Sequence, residues 1–414
     1  MDRRRFLRQA GWMAAGWQVN GMLRDARAQQ TGKMPAPVGD SGLAMEAPAA
    51  GYYPYRGVSG AGFPATAESA HGGWRSGSEG VGYAGVHPPR YKTLPFGSSA
   101  TGSVVKDGLL PPIWPLLDVQ VRDTIVCRGG DGQFYMTGST GDNIWAFNDG
   151  VELWKSPDLK QWKYMGVVWS IERDGGWEKQ WRSLHNRPSR AIWAPELHHV
   201  SGSYYICLSM APSGISILKS ESGRAEGPYR HGWSADAPVC SGIDPTLFED
   251  SDGAVYFTWG AATRIARMKD DMSGFAEEFR AVTLTDPDHV PTHHAEKCVK
   301  RGSNDLGHEG ATLFKANGVY YLGAADNYEG RYSTCLAMSE SVYGPYRMRH
   351  ESVPCGGGTG FFQDGKGGWW TSFFGNDNQS PFREKPAVVK VDFAPDGRVV
   401  VAKHQPLVRN RQWG

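Results

Sequence analysis

From about residue 120 onward, apolar and polar positions recur as one phrase: a polar turn, usually holding glycine, followed by a short strand dense in aromatic residues. Its five occurrences read GDGQFYMTGS, VSGSYYICLS, SDGAVYFTWG, ANGVYYLGAA and GKGGWWTSFF. Each apolar run is short, rich in aromatic residues and bounded by turn formers, which predicts a strand. With Tyr135, Tyr205, Tyr256, Tyr321 and Trp370 as markers, the intervals are 70, 51, 65 and 49 residues. Such spacing predicts five supersecondary units of about 50 residues carrying unequal insertions.

A second phrase keeps the same register. SESGRAEGPYR at 220–230 and SESVYGPYR at 339–347 each follow a strand and mark the same outer turn, with SPDLKQW at 156–162 as a looser counterpart. Strands at these intervals with turns between them predict radial antiparallel sheets, so the fold class is all-β and the architecture a five-bladed β-propeller over residues 100–410. A β-sandwich is the alternative arrangement. In a propeller the inner strand of each blade lines the central channel, so residues far apart in sequence converge there.

The N-terminal quarter has a different character. DRRRFLRQAGWMAAGWQVNGML joins an arginine cluster to a weakly apolar stretch and is followed by a small-residue site, ARA at 26–28. This resembles a twin-arginine export signal over residues 1–28, with Arg3, Arg4, Phe6 and Leu7 at the motif positions, and predicts a periplasmic or secreted protein. Residues 29–99, rich in glycine, proline and alanine, are expected to be a partly disordered segment. No later stretch has the roughly 18 uninterrupted apolar residues needed to span a bilayer.

Composition narrows the partners. A formal net charge of +1 gives no global attraction to nucleic acid or to an anionic membrane, which favours a neutral substrate. The six cysteines, at 127, 207, 240, 298, 335 and 355, lie too far apart for a zinc or iron–sulfur motif, and several fall inside apolar strands as buried thiols. Oligomeric state is left open.

Three carboxylates stand just ahead of apolar segments. Asp123 in VRDTIVCRGGDGQFY lies eight residues before Asp131, Asp244 in GIDPTLFEDSDGAVYF eight before Asp252, and Glu309 in GHEGATLFKANGVYY eight before Asn317. The shared offset predicts equivalent inner-strand positions in three blades. Asp131 belongs to its Asp-Gly turn, and Glu249, Asp250 and Asp252 are expected to be solvated in another. Hydrolysis of a glycosidic bond needs one carboxylic acid to protonate the leaving oxygen and one carboxylate to activate water; a third nearby carboxylate keeps the acid protonated, because like charges at close range resist joint ionisation. Trp193 in RAIWAPEL is placed to stack on a sugar face, His308 beside Glu309 to touch substrate, and Trp145 and Phe147 to form a pocket wall. Alternation points Arg122 away from Asp123, as a structural ion pair, and Arg331 is a further substrate contact outside the central set.

Taken together, RDTIV at 122–126, WAPEL at 193–197, IDPTLFEDSDGAVYFTWG at 243–260 and HEGATLFKANGVYYL at 308–322 resemble glycoside hydrolase family 43 over about residues 110–405. The resemblance implies a five-bladed propeller and an inverting hydrolase, exo- or endo-acting, for arabinosyl, xylosyl or galactosyl linkages in oligo- or polysaccharides. It assigns Asp123 as general base, Asp244 as the residue that orients the acid and raises its pKa, Glu309 as general acid, and Trp193 to the sugar site. No cofactor is required for the chemistry. Two positions depart from the family pattern. Thr124 stands where proline is usual, and Gly358 stands where many members carry a channel histidine that helps hold a structural calcium ion. The remaining alternatives are a related propeller hydrolase for galactosyl or unusual sugars and a noncatalytic carbohydrate-binding propeller.

Overall fold

The computed structural model of the chain describes residues 110–406 except 112, 114, 118, 141–147, 149, 181–190, 211–213, 286–305, 329–330 and 376–384. The export-signal and N-terminal-segment expectations, and those for Trp145 and Phe147, therefore lie outside the described residues.

Among the described residues, twenty strands form five four-stranded antiparallel sheets, each built from consecutive strands. The first holds β1 (Arg122–Arg128), β2 (Phe134–Ser139), β3 (Gly150–Ser156) and β4 (Lys163–Ser170). The second holds β5 (Ile192–Val200), β6 (Ser203–Met210), β7 (Ile215–Ser220) and β8 (Tyr229–His231). The third holds β9 (Pro245–Glu249), β10 (Val255–Trp259), β11 (Arg264–Arg267) and β12 (Arg280–Ala281). The fourth holds β13 (Glu309–Ala316), β14 (Val319–Tyr328), β15 (Arg331–Ser339) and β16 (Arg347–Val353), and the fifth β17 (Gly356–Gln363), β18 (Trp369–Gly375), β19 (Pro386–Phe393) and β20 (Val399–Val401). The five-bladed propeller is the observed fold.

The second strand of each blade explains the repeated phrase. Successive side chains of a strand point to opposite faces, and here both faces are interfaces with neighbouring blades, so both must be apolar. Phe134 and Met136 pack toward blade 5, whereas Tyr135 between them packs toward blade 2. The markers Tyr205, Tyr256 and Tyr321 likewise face the following blade, and Trp370 faces blade 1, which closes the ring. Closure is noncovalent, reinforced by Leu110 and Ile113 packing on blade 5 and by Leu116 N–H donating to Pro386 O at 2.8 Å.

The outer turns also share geometry. Tyr229 donates its hydroxyl to Ala225 O, and Tyr346 to Val342 O, each at 2.7 Å, so the two GPY phrases are one structural device closing the third-to-fourth strand connection. Asp131 caps its turn, accepting from Gln133 N–H at 3.1 Å. Asp250 departs from the expectation of a solvated acid. It is buried and accepts from Lys315 Nζ at 2.7 Å and from the Tyr320 hydroxyl, because the next blade covers this turn with two donors.

Between blades 1 and 2 a short helix, α1 (Ile171–Asp174), is followed by a single 3₁₀ turn, Trp177–Gln180. The turn is anchored by Glu178, which is fully buried, lies 2.9 Å from His231 Nε2, and accepts from the Ser216 hydroxyl and from Gly176 N–H. Burial pushes the Glu178 carboxyl up, but the His231 and Ser216 interactions outweigh it and hold it below the usual range. Glu178→Ala leaves His231 and Ser216 without their acceptor, and should lower the unfolding free energy by about 3 kcal/mol, read as a shifted urea midpoint. An unchanged midpoint would show that this anchor contributes nothing to the fold.

Candidate active site

Each inner strand enters the channel through one residue with left-handed backbone. These are Asp123, Ala194, Asp244, Gly310 and Gly358, with φ of 50°, 44°, 52°, 69° and 55°. In β1, β5, β13 and β17 the residue sits in a bulge, where the pairing register shifts between Arg122 and Ile125, Trp193 and Glu196, Glu309 and Thr312, and Gly357 and Gly360. A bulge re-aims a side chain and sharpens the strand's bend, so five chain segments turn inward at one level.

The ring is wired from blade to blade. Ser139, at the end of β2, accepts from Ala194 N–H at 2.8 Å and donates to Asp123 Oδ2 at 2.6 Å. Ser209, at the matching end of β6, accepts from Asp244 N–H at 3.3 Å and donates to Trp193 O at 3.1 Å. Asp244 Oδ2 then accepts from Gly310 N–H at 2.8 Å, in the peptide that joins Glu309 to Gly310. Blade 5 completes the circle through Gly358, where an added Cβ would lie 2.6 Å from Asp123 Cα.

Asp123 and Asp244 therefore occupy equivalent positions, whereas Glu309 stands one residue earlier, level with Arg122 and Trp193. The equal offset of eight misplaced it because the turns differ. Blades 1 and 3 turn through three residues, closed by Gly129 N–H to Gln133 O and Asp250 N–H to Ala254 O at 2.8 Å, while blade 4 turns through the two residues between Ala316 and Val319. Glu309 still meets the aspartates, because Asp244 grips the peptide beside it.

Electrostatics tie the three acids together. Burial, followed by the charges of Asp123 and Glu309, raises the Asp244 carboxyl well above its ordinary value. Asp123 is also raised, chiefly by burial; Arg122 and the Ser139 hydroxyl oppose this, and Glu309 adds to it. Three carboxylates cannot all ionise cheaply at this range, so the site retains a proton where an isolated set would lose it. Glu309 keeps its side chain 32% exposed, with Oε1 accepting from the Tyr332 hydroxyl at 2.7 Å. His308 Nε2 lies 3.8 Å from the same oxygen, while Nδ1 is 3.3 Å from Asp326.

The other candidates fall into place around this ring. Trp193 is half-buried in β5 at the level of Glu309. The buried guanidinium of Arg122 lies 4.4 Å from the Phe374 ring centroid, and its charge lowers the Asp123 pKa. Arg331 is committed to Glu351, at 2.8 and 2.6 Å, rather than presented to a ligand. The described cysteines, at 127, 207, 240, 335 and 355, carry free thiols.

Gly358 bears on the calcium expectation. The position abuts Asp123 and Phe374, leaving no room for an imidazole, and no cluster of three His, Cys, Asp or Glu side chains suited to a metal occurs among the described residues. The described residues do not fit the calcium-linked histidine that the family resemblance implies.

Three supporting residues were missed by reading the sequence. Ser139 and Ser209 stand four residues after the markers Tyr135 and Tyr205, a recurrence that was visible. Tyr332 carried no signal beyond an aromatic in an apolar strand. Glu196, inside WAPEL, is a further carboxylate, buried and 3.0 Å from His198 Nε2. Its carboxyl is raised first by burial, against the hydrogen bonds of His198 and Thr246 and with a contribution from Asp123.

Comparison with known proteins agrees with this architecture. The family described as glycosyl hydrolases family 43 matches residues 114–399. A Vibrio protein named xylan 1,3-beta-xylosidase is 28% identical over 252 residues, covering 58% of this chain and 42% of its own. A putative beta-xylosidase of Escherichia coli is 26% identical over 262 residues, covering 56% and 41%. The chain thus spans about two fifths of the length of these two curated relatives. Among solved structures, an endo-1,4-beta-xylanase of Bacteroides thetaiotaomicron superimposes with TM-score 0.51 at 23% identity, covering 69% of this chain and 95% of that one. An endo-arabinase of the same organism gives TM-score 0.51 at 18% identity, covering 68% and 98%.

Proposed function

The chain belongs to glycosyl hydrolase family 43, and from that premise we propose that it is a glycosidase removing xylosyl or arabinofuranosyl units from oligo- or polysaccharides with inversion at the anomeric carbon. The observation that carries this reading is the grip of Asp244 on the Glu309–Gly310 peptide, which gathers Asp123, Asp244 and Glu309 from three blades. Names of the curated relatives, xylosidase and xylosidase/arabinosidase among them, support the choice of sugar. The twin-arginine-like opening supports action outside the cytoplasm.

In this mechanism Asp123 takes a proton from water as the water oxygen bonds to the anomeric carbon. The glycosidic C–O bond breaks on the opposite face, and its oxygen takes the Glu309 proton. Tyr332 occupies Oε1, so the departing proton sits on Oε2. Ser139 steadies the base by donating to Asp123 Oδ2. Asp244 stays close enough to resist ionisation of the acid before the leaving group arrives. Trp193 offers an aromatic face to the sugar.

The test is sugar release from xylosyl, arabinofuranosyl and galactosyl oligosaccharides, with the first-formed anomer followed by proton NMR. Release of xylose or arabinose with inverted configuration is expected. Retention would overturn direct water attack, and release of galactose alone would overturn the sugar assignment.

A further inference from the structure

Blade 4 carries, behind Glu309, a set of buried charges that packing alone does not require. Asp326 on β14 and Arg349 on β16 have side chains with no exposed surface and are joined at 2.6 Å through Arg349 Nη2 and Asp326 Oδ2. Arg349 Nε is spent on Leu306 O at 2.7 Å, which fixes the guanidinium in place. A well-packed apolar pair would fill the same volume at no greater cost, since desolvating two charges offsets most of their attraction. The pair's second carboxylate oxygen is what gives it a use. Asp326 Oδ1 faces His308 Nδ1 at 3.3 Å, while His308 N–H is held by Ala325 O at 2.9 Å.

We propose that Asp326, clamped by Arg349, is a positioning residue that orients His308, so that His308 and Tyr332 both address Oε1 of Glu309 and Oε2 is left to deliver the proton. The inference rests on Glu309 being the acid. A carboxylate paired with a guanidinium can only accept, so Nδ1 of His308 carries a hydrogen and Nε2 looks the other way; facing an oxygen that also accepts, His308 acts here as the imidazolium, with a hydrogen on each ring nitrogen. That direction is toward Glu309, with Nε2 3.8 Å from Oε1. Tyr332, whose ring lies 5.8 Å from the His308 ring, donates to the same oxygen at 2.7 Å. An oxygen that accepts from a phenol is the carbonyl oxygen of a carboxylic acid, and the hydroxyl hydrogen then resides on the other. A carboxylic acid free to rotate would present the proton-bearing oxygen only part of the time, and losing a fixed geometry of this kind costs rate at the proton-transfer step.

The experiment is a double-mutant cycle on the full chain with two kinds of substrate: unactivated disaccharides, whose leaving oxygen needs a proton, and dinitrophenyl glycosides, whose leaving group needs almost none. Asp326→Asn and His308→Gln should each lower kcat/KM on disaccharides by about 10-fold and on dinitrophenyl glycosides by less than about 2-fold. The double variant should lose about 10-fold and not about 100-fold, because one residue acts through the other. Equal losses on both substrate classes would mark a merely structural role, and additive losses would show that Asp326 does not work through His308; either result overturns the proposal. If Asp326→Asn fails to fold because Arg349 is left unpaired, the variant Asp326→Asn/Arg349→Gln takes its place in the cycle, under the same criteria. A parent inert on both classes removes the reading of Glu309 and this inference together, whereas an active parent with parallel losses removes the inference alone.

Discussion

Glu309→Gln will lower kcat/KM on unactivated oligosaccharides by about 10²- to 10⁴-fold while leaving dinitrophenyl glycosides within about 10-fold of the parent. The amide keeps the shape and can still accept from the Tyr332 hydroxyl, which reaches Oε1 at 2.7 Å, so the fold and the pocket wall survive. What is lost is the one proton whose delivery matters in proportion to the basicity of the leaving oxygen. A phenol activated by nitro groups departs without help, and an alcohol does not. The measurement is a plot of log kcat/KM against leaving-group pKa for both proteins, steep for the variant and shallow for the parent. Parallel plots would exclude Glu309 as the acid, and a collapsed circular dichroism spectrum would make it structural.

Asp244→Asn should trade activity for stability. Burial first, then the charges of Asp123 and Glu309, hold the Asp244 carboxyl well above its ordinary 3.8. A pKa raised by folding means that the native state binds this proton more tightly than the unfolded chain does. Its stabilising contribution is thus complete below 3.8 and is lost as pH rises through the raised value. An amide never ionises and escapes that loss. Asparagine also tolerates left-handed backbone, here at φ 52°, better than most residues, and its carbonyl can keep the Gly310 N–H. The unfolding free energy at neutral pH should rise by about 1 kcal/mol, a gain typical of relieving a functional site, and the advantage should shrink as the pH falls. Turnover should drop by about 100-fold, because the carboxyl that shares the site's proton with Glu309, and on ionising keeps the acid protonated, is replaced by a neutral amide. A variant less stable than the parent at every pH would show that the Asp244 charge serves the fold.

Both effects trace to residues that could be named in advance, yet the reasons they work could not. The aromatic markers identified the second strand of every blade because that strand is sandwiched between two neighbours, so large apolar side chains fill both of its faces. The GPY phrases were legible for a similar reason, since each places a tyrosine hydroxyl four residues from the carbonyl it caps. The assignment of Asp123 and Asp244 to one register followed from counting to the Asp-Gly turns. The same count failed for Glu309, because the Asn317 turn is one residue shorter, and a slip of one residue changes which face a strand side chain occupies.

Asp250 shows the limit from another side. Its neighbours in sequence, Glu249, Ser251 and Asp252, make the segment look solvated, but Lys315 and Tyr320 arrive from 65 and 70 residues away to cover it. The bulge between Arg122 and Ile125 is likewise not announced by its own sequence. Tyr332, Asp326 and Arg349 carried no motif at all, since buried polar groups in a strand are indistinguishable by pattern from residues facing solvent.

The sequence by itself determined the all-β class, the number of blades, the strands that form their cores and the three acids that bear the candidate chemistry. Each of these depends on local periodicity or on residue type, which the chain carries in order. Tertiary structure alone decided that Asp244 clamps the peptide beside Glu309, that Ser139 holds Asp123, and that Asp326 reaches His308. Those contacts join segments of different strands and blades, and they exist because five residues with left-handed backbone, four of them in bulges, turn the chain inward at one level. The energy of a hydrogen bond depends on distances of tenths of an ångström, and closure of the ring sets those distances.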